Sequence, residues 1–597
     1  MSPPSASFAM NQTSQILVNQ VTDFLDEANV EGAMWLLMEN QKDAENSLNG
    51  IMSAIVSNLT GSVSQHKQPV FQSSFEVLTF ILKTHDPAVT VLELQKYVRC
   101  ASDHVNFCAI LDALQYCLTR IPNKGRVIDW CLDSLKIYVE NLPLPDDVDD
   151  DLKEASDRIV DTHKVITTFL KPLVQEAIVI ESKQKKRSVL GGCLLAFFIF
   201  LCGKPFCCLN KYISEETVYE ELANDMVSQT LCLTGDILYF LDTVGQRKRY
   251  SSCVKGRLEK YISDHIFDWN HNVPDVAYAN FYFYVFTKEN YWTQVPQVYN
   301  PCYILEACAY FFKILLSEDY SIPNGLIFME NVIRRIPSHS VDSKVLKLDI
   351  YTELFQPITK VMIYSNNDEQ RKMAVRVFQE YIEIFDIKAR YTVILYLYEI
   401  VEHSSLLSFI AGLCKSYIAE CLDSTPRNPQ FLGKNMKLLL KKVCNLPHGS
   451  SSDIVEISDE IITALNLLRY LFIRDTNDET GIWDMTDVLK NDYLNPLREG
   501  IDSSKAYWRV KMKDLEQQKK DLAREQDCSK LMQANADMEV TLTIGGEQLP
   551  IMPLSPKMSI CSQVLNGLDV MESILIRVNE CISMNGKLVK KSDECSK

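Results

Sequence analysis

At 597 residues the chain exceeds what one compact core organises, so two or more domains or an elongated array are expected. Its 47% apolar and 23% charged residues are ordinary for a globular protein, and only 20 Gly and 22 Pro argue against a β-rich fold with many tight turns. A formal net charge of −17 without a broad basic stripe argues against nucleic-acid binding, which depends on neutralising phosphates, and suits a protein that docks other proteins.

The opening "MSPPSASFAMNQT" has no basic n-region followed by an apolar core, so no secretory signal is expected. The nineteen scattered cysteines then read as reduced thiols, a cytoplasmic location follows, and the sequons at Asn11 and Asn58 carry no weight. The first expected linker is 141–157, whose acidic tract Asp146, Asp147, Asp149, Asp150 and Asp151 reads as a solvated loop. It lacks the ligand spacing and turn glycine of a calcium site.

The stretch "KQKKRSVLGGCLLAFFIFLCGKPFCC" (183–208) raises the question of a membrane span. Its fifteen apolar residues, 189–203, would reach roughly 22 Å as a helix, short of the ~30 Å hydrocarbon core, and Lys204-Pro205 ends the run. A buried core helix is the expected reading, with Cys193, Cys202, Cys207 and Cys208 as buried thiols and Lys183, Lys185, Lys186 and Arg187 as a solvated helix end.

Further along, Met373, Val377, Tyr381 and Ile384 fall on one stripe beside Phe378, Ile382 and Phe385, the i, i+4 pattern of a helix with a wide buried face. Ile454, Ile457, Ile461, Leu465, Leu468 and Phe472 form a second such stripe. Further linkers are expected near 340, at 424–430, at 445–452 and over 511–536, the last as an exposed helix or linker without a coiled-coil seam. Val540, Leu542 and Ile544 alternate with polar residues before Gly545-Gly546, which predicts at most a small β-hairpin near 540–549. Ser555 and Pro556 read as N-cap and first residue of a closing helix, with Met558, Cys561, Leu565, Leu568, Leu575, Val578 and Ile582 on one face.

Amphipathic helices of ten to twenty residues that share no single centre suit stacked pairs. The expected fold is therefore all-α, a HEAT/armadillo-like α-solenoid. We place an N-terminal helical domain at 1–240, a connecting region at 241–300 and a C-terminal helical domain at 301–597.

The usual signatures of chemistry are missing from the sequence. No P-loop, dinucleotide fingerprint, H-E-x-x-H or G-x-S-x-G occurs. Cys202, Cys207 and Cys208 have no nearby histidine to complete a tetrahedral set, and His403 and His448 read as loop residues. No catalytic residue, cofactor or metal is therefore expected. What remains is "DETGIWDMTDVLKNDYLNPLREGIDSSKAYWRVKM", where Trp483, Tyr493, Tyr507, Trp508 and Arg509 sit among charges. Aromatics and arginines dominate interface energetics, yet a core role stays open for each of these residues.

The same region resembles the glomulin family. The resemblance is carried by "SDEIITALNLLRYLFIRDTNDETGIWD", "LNPLREGIDSSKAYW", "LTIGGEQLPIMP" and "LDVMESILIRVNE" in that order over about 452–582. "PITKVMIYSNNDEQRKMAV", "KARYTVILYL" and "FLKPLVQEAI" extend it toward the N-terminus. It implies a HEAT-like protein without catalytic activity that binds the RING domain of the RING-box subunit of cullin-RING ubiquitin ligases. There it would cover the surface used by the ubiquitin-conjugating enzyme. It also implies association with immunophilins and a receptor tyrosine kinase, with the RING contact in the C-terminal half. Lys505 and Tyr507 lie in the matching "SKAYW" piece, and Trp508 and Arg509 extend the candidate contact.

Overall fold

A computed structural model describes residues 12–144, 152–185, 187–211, 216–238, 240–241, 273–295, 299–424, 428–529, 543–544, 547–548 and 553–595. It is an all-α protein whose helices pack in adjacent pairs, as expected of a solenoid. A two-residue antiparallel pairing, Thr543–Ile544 with Glu547–Gln548, stands at the expected hairpin. The chain forms two compact units, residues 1–336 with 366–377, and residues 337–365 with 378–597.

In the first unit, side chains at helix ends bind neighbouring helices. Asp103 caps the His104–Arg120 helix through the Asn106 N–H at 2.8 Å, while its other oxygen accepts from the Gly61 N–H at 2.8 Å. One carboxylate thus satisfies the orphan donors of two helices. Buried Asn106 donates to the carbonyls of Val56 (2.8 Å) and Leu59 (3.1 Å) where the Leu48–Asn58 helix ends, adding a second bond to Val56, which also accepts from the Leu59 N–H.

The apolar run becomes the Val189–Leu201 helix, which is buried throughout apart from its first residue. A short 3₁₀ turn, Phe206–Lys211, continues it. The apolar stretch is therefore longer than the sequence suggests. Val189–Leu209 and Ser404–Asp423 are each long and apolar enough to cross a membrane, but 94% of the first lies inside the protein. It is a core helix. Ser188 caps it, accepting from the Gly191 N–H at 2.9 Å, and Glu181 accepts from the Ser188 N–H at 2.8 Å. Any Cβ at position 191 would lie 2.0 Å from the Glu181 carboxylate, so glycine is what lets the clamp close. Beneath this region His163 is fully buried and its ring lies 5.2 Å from that of Phe206. Its Nδ1–H donates to the Ile159 carbonyl at 2.8 Å, and burial lowers its pKa to about 4, so the ring is neutral. The cysteines whose side chains the structure describes, Cys193, Cys202, Cys207 and Cys208 among them, are free thiols.

Several expected linkers carry structure. The acidic tract lies outside the described residues, but residues 152–157 open the Leu152–Gln184 helix, where Glu154 sits favourably at the positive end of the helix dipole. In the second unit, Val341 pairs with the 384–386 segment: its N–H donates to the Ile384 carbonyl (3.0 Å) and its carbonyl accepts from Asp386 (2.9 Å). The segment near 340 is therefore pinned rather than loose. The 511–529 stretch completes the Asn495–Ser529 helix, and Ser555 and Pro556 fall inside the Leu554–Cys595 helix, one residue past its start. Both apolar stripes are buried largely as the spacing predicts, although Ile454 and Ile457 precede the Ser458–Arg474 helix instead of belonging to it.

Two predictions follow from these cores. Asn106→Ala removes the donor from the Leu59 carbonyl and one of two donors from Val56, and costs about 1–2 kcal/mol, read as a lowered denaturation midpoint at unchanged slope. Glu460, close to Tyr398, Tyr493 and Cys444, has its pKa raised from 4.5 to about 7 by burial. The folded chain then holds a proton that the unfolded chain releases, so this residue's contribution to stability falls as pH rises through that window. Glu460→Gln removes the slope: its melting temperature exceeds that of the parent at about pH 8 and converges with it at about pH 5.

Candidate functional site

The C-terminal part of the second unit is built from the Ser458–Arg474, Asn495–Ser529 and Leu554–Cys595 helices, the last packing on both of the others. Cys561, Leu568, Met571, Leu575, Val578 and Ile582 form its buried stripe.

Lys505 is 4% exposed and bridges two of these helices. Its ammonium lies 2.6 Å from both the Asp569 and the Glu572 carboxylates. Burial by itself would lower the lysine pKa, but the two hydrogen bonds and charges outweigh it and hold the group above its ordinary value. The carboxylates themselves keep contact with water, so the bridge is a half-wet brace.

One turn earlier the same helix meets the loop before Ser458. A Cβ at Gly500 would lie 3.1 Å from both the Ser450 carbonyl and the Ile454 side chain, so only glycine allows this approach without displacement. The loop braces itself. The Ser452 hydroxyl accepts from the His448 N–H (3.0 Å) and donates to the Gly449 carbonyl (2.9 Å), while Asp453 accepts from the Val455 (3.1 Å) and Glu456 (3.2 Å) N–H groups.

Between loop and helix opens a cleft of about 750 Å³, walled by loop residues 450–453, Val455 and Glu456 and by Gly500, Ser503, Ser504, Tyr507 and Trp508. At its rim Tyr507 is 60% exposed, and its ring stands nearly perpendicular to that of half-buried Trp508, centroids 5.6 Å apart. The Lys511 ammonium lies 4.6 Å from the Trp508 ring centroid, and Arg509 and Val510 are exposed beside it.

The six candidate residues therefore part company. Tyr507, Trp508 and Arg509 lie together at the surface. Lys505, on the same helix, is the buried brace beneath them. Trp483 is structural in its surroundings: its indole N–H donates to the Asp475 carbonyl at 2.8 Å and its ring meets Phe472 edge-on at 4.9 Å. It closes the 475–485 loop, in which the Asp475 carboxylate accepts from the Glu479 (2.9 Å) and Thr480 (2.7 Å) N–H groups. Tyr493 is 1% exposed, set in the π-helical turn Lys490–Leu494, and burial drives its hydroxyl pKa upward. Residue type gives no sign of the cleft's other wall, Asp453 and Glu456, or of Gly500, Ser503 and Ser504. The last three, with Tyr507, fall at i, i+3, i+4 and i+7, a helical face of small residues that a search for apolar stripes passes over.

The comparisons with known proteins agree with one another. The profile of an uncharacterised protein family, YAP/Alf4/glomulin, matches residues 101–555, which takes in every stretch that carries the resemblance except the closing "LDVMESILIRVNE" at 568–580. Glomulin of Homo sapiens is 27% identical over 532 residues, covering 87% of this chain and 85% of that protein. Glomulin of Mus musculus is 26% identical over 487 residues, covering 80% and 78%. A match over most of the chain, on an all-α fold of paired helices, shows that this protein belongs to the YAP/Alf4/glomulin family.

Proposed function

We propose that this protein is a non-catalytic cytoplasmic regulator that binds the RING domain of the RING-box subunit of cullin-RING ubiquitin ligases. By occupying the face on which the ubiquitin-conjugating enzyme docks, it prevents ubiquitin transfer. The observation that carries this reading is family membership over residues 101–555 combined with an exposed aromatic rim, Tyr507 and Trp508, on a braced helix within that span.

The mechanism asks only for shape. A RING presents a small docking face to a transient partner, and a standard interface of ~800 Å² per side is enough to exclude that partner. No bond is made or broken. The competitor needs rigidity at the contact, because ordering a mobile side chain costs ~0.5–1.5 kcal/mol for each one immobilised. Here the helix is fixed from below by Lys505 and from the side by the Gly500 contact, which leaves the rings of Tyr507 and Trp508 pre-positioned.

A second reading, a scaffold for immunophilins or a receptor tyrosine kinase, draws on the other end of the chain. On the Val30–Glu39 helix, Trp35 and Met38 are 62% and 61% exposed, side by side at i and i+3. An exposed tryptophan of this kind is a common interface anchor.

Purified protein titrated into a reconstituted cullin-RING ligase should suppress ubiquitin-chain formation in step with RING-box binding, and undiminished chain formation at saturating protein would end the proposal. Tyr507→Ala should weaken RING-box binding by about 2 kcal/mol, or roughly thirtyfold, at an unchanged melting temperature. Lys505→Met should do the reverse in order of cause: the melting temperature falls first, by about 1–3 kcal/mol of stability, and binding falls only as far as the rim loses its support.

A further inference from the structure

The cleft beside Tyr507 has a chemistry of its own. Its lining holds two carboxylates, Asp453 and Glu456, several serine hydroxyls and two aromatic rings, with no lysine or arginine among the lining residues. Both carboxylates are exposed at the cleft, and no ion pair engages either among the described residues. The backbone of the loop uses one Asp453 oxygen as a turn acceptor, which fixes that carboxylate in place. An anionic ligand would face these two carboxylates, with Lys511 and Arg509 lying outside the lining, which disfavours phosphorylated segments and nucleic acid. An apolar side chain would have to desolvate the acids and hydroxyls.

A cation is different. The two carboxylates and the faces of the Tyr507 and Trp508 rings attract positive charge, and the Lys511 ammonium already lies 4.6 Å from the Trp508 ring centroid. A guanidinium fits better than an ammonium. It is planar and stacks on rings, it presents donors in a fork to carboxylate and hydroxyl acceptors, and it is only weakly hydrated. A cleft of about 750 Å³ holds one arginine side chain together with the backbone on either side.

The geometry points to an arginine pocket: the cleft between loop 450–456 and the Gly500–Trp508 face receives an arginine side chain from the docked protein partner, with Glu456 as its counter-charge and the Tyr507–Trp508 rings as its wall. As an account of the RING contact, this inference rests on the function proposed above and names the partner chemistry that the site selects.

The test uses the full-length protein and three variants: Glu456→Lys, the conservative Glu456→Gln, and Glu402→Lys as a charge-matched control at an exposed position elsewhere in the second unit. Each is titrated with a fluorescent hexapeptide of alternating glycine and arginine, with its citrulline counterpart, and with the RING-box subunit. Glu456→Lys should weaken the arginine peptide about tenfold or more, Glu456→Gln should fall between it and the parent, and Glu402→Lys should stay within about twofold. The citrulline peptide should bind the parent about tenfold more weakly than the arginine peptide, and RING-box affinity should drop in the same order across the variants. Equal behaviour of Glu456→Lys and Glu402→Lys, or equal binding of the citrulline and arginine peptides, overturns the pocket even where the RING-box subunit binds. Failure of the parent to bind the RING-box subunit, with the peptide still dependent on Glu456, overturns the proposed function and leaves the pocket standing for another arginine-bearing protein.

Discussion

No helix in this chain can bury its apolar face alone, and that constraint governs the rest. An amphipathic helix has one stripe to hide, and its neighbour must hide it. The Leu554–Cys595 helix shows the consequence most plainly. Its stripe from Cys561 to Ile582 is covered because the helix returns to lie on both Ser458–Arg474 and Asn495–Ser529. Hydrophobic burial brings these three helices together without choosing a rotational setting. The polar contacts make that choice: the Lys505 ammonium between two carboxylates sets one pair, and the bare backbone at Gly500 sets how close the 450–454 loop may come.

This division of labour explains how much could be read from residues alone. Periodicity exposes burial, so the stripes through Tyr381 and through Leu465 were legible, and the length and composition of the apolar run 189–203 marked it as part of a core. Linkers were less legible. A segment such as 339–342 is rich in polar residues yet is held by backbone pairing to 383–386, a contact across some forty positions that no local pattern reveals. Proline-poor acidic stretches likewise read as loops until a helix N-terminus recruits them, as at 152–157.

The site divided along the same line. Tyr507, Trp508 and Arg509 could be found from residue type, because aromatics among charges invite the question of exposure. Lys505 and Tyr493 could not be placed, since a lysine's burial depends on carboxylates 64 and 67 positions away and a tyrosine's on its local turn. The cleft was illegible for a different reason. It is a concavity, made by what Gly500, Ser503 and Ser504 lack, and small side chains leave only a weak mark on hydropathy.

The closing helix has one more implication, for inheritance rather than for binding. Its partner surfaces on Ser458–Arg474 and Asn495–Ser529 are laid down earlier during synthesis and stay bare until residues 554–595 emerge. A premature stop codon between residues 529 and 554 would release a polypeptide with two uncovered apolar flanks, the kind of surface that chaperones retain and proteases clear. Such alleles would behave as nulls although they still encode the rim at Tyr507.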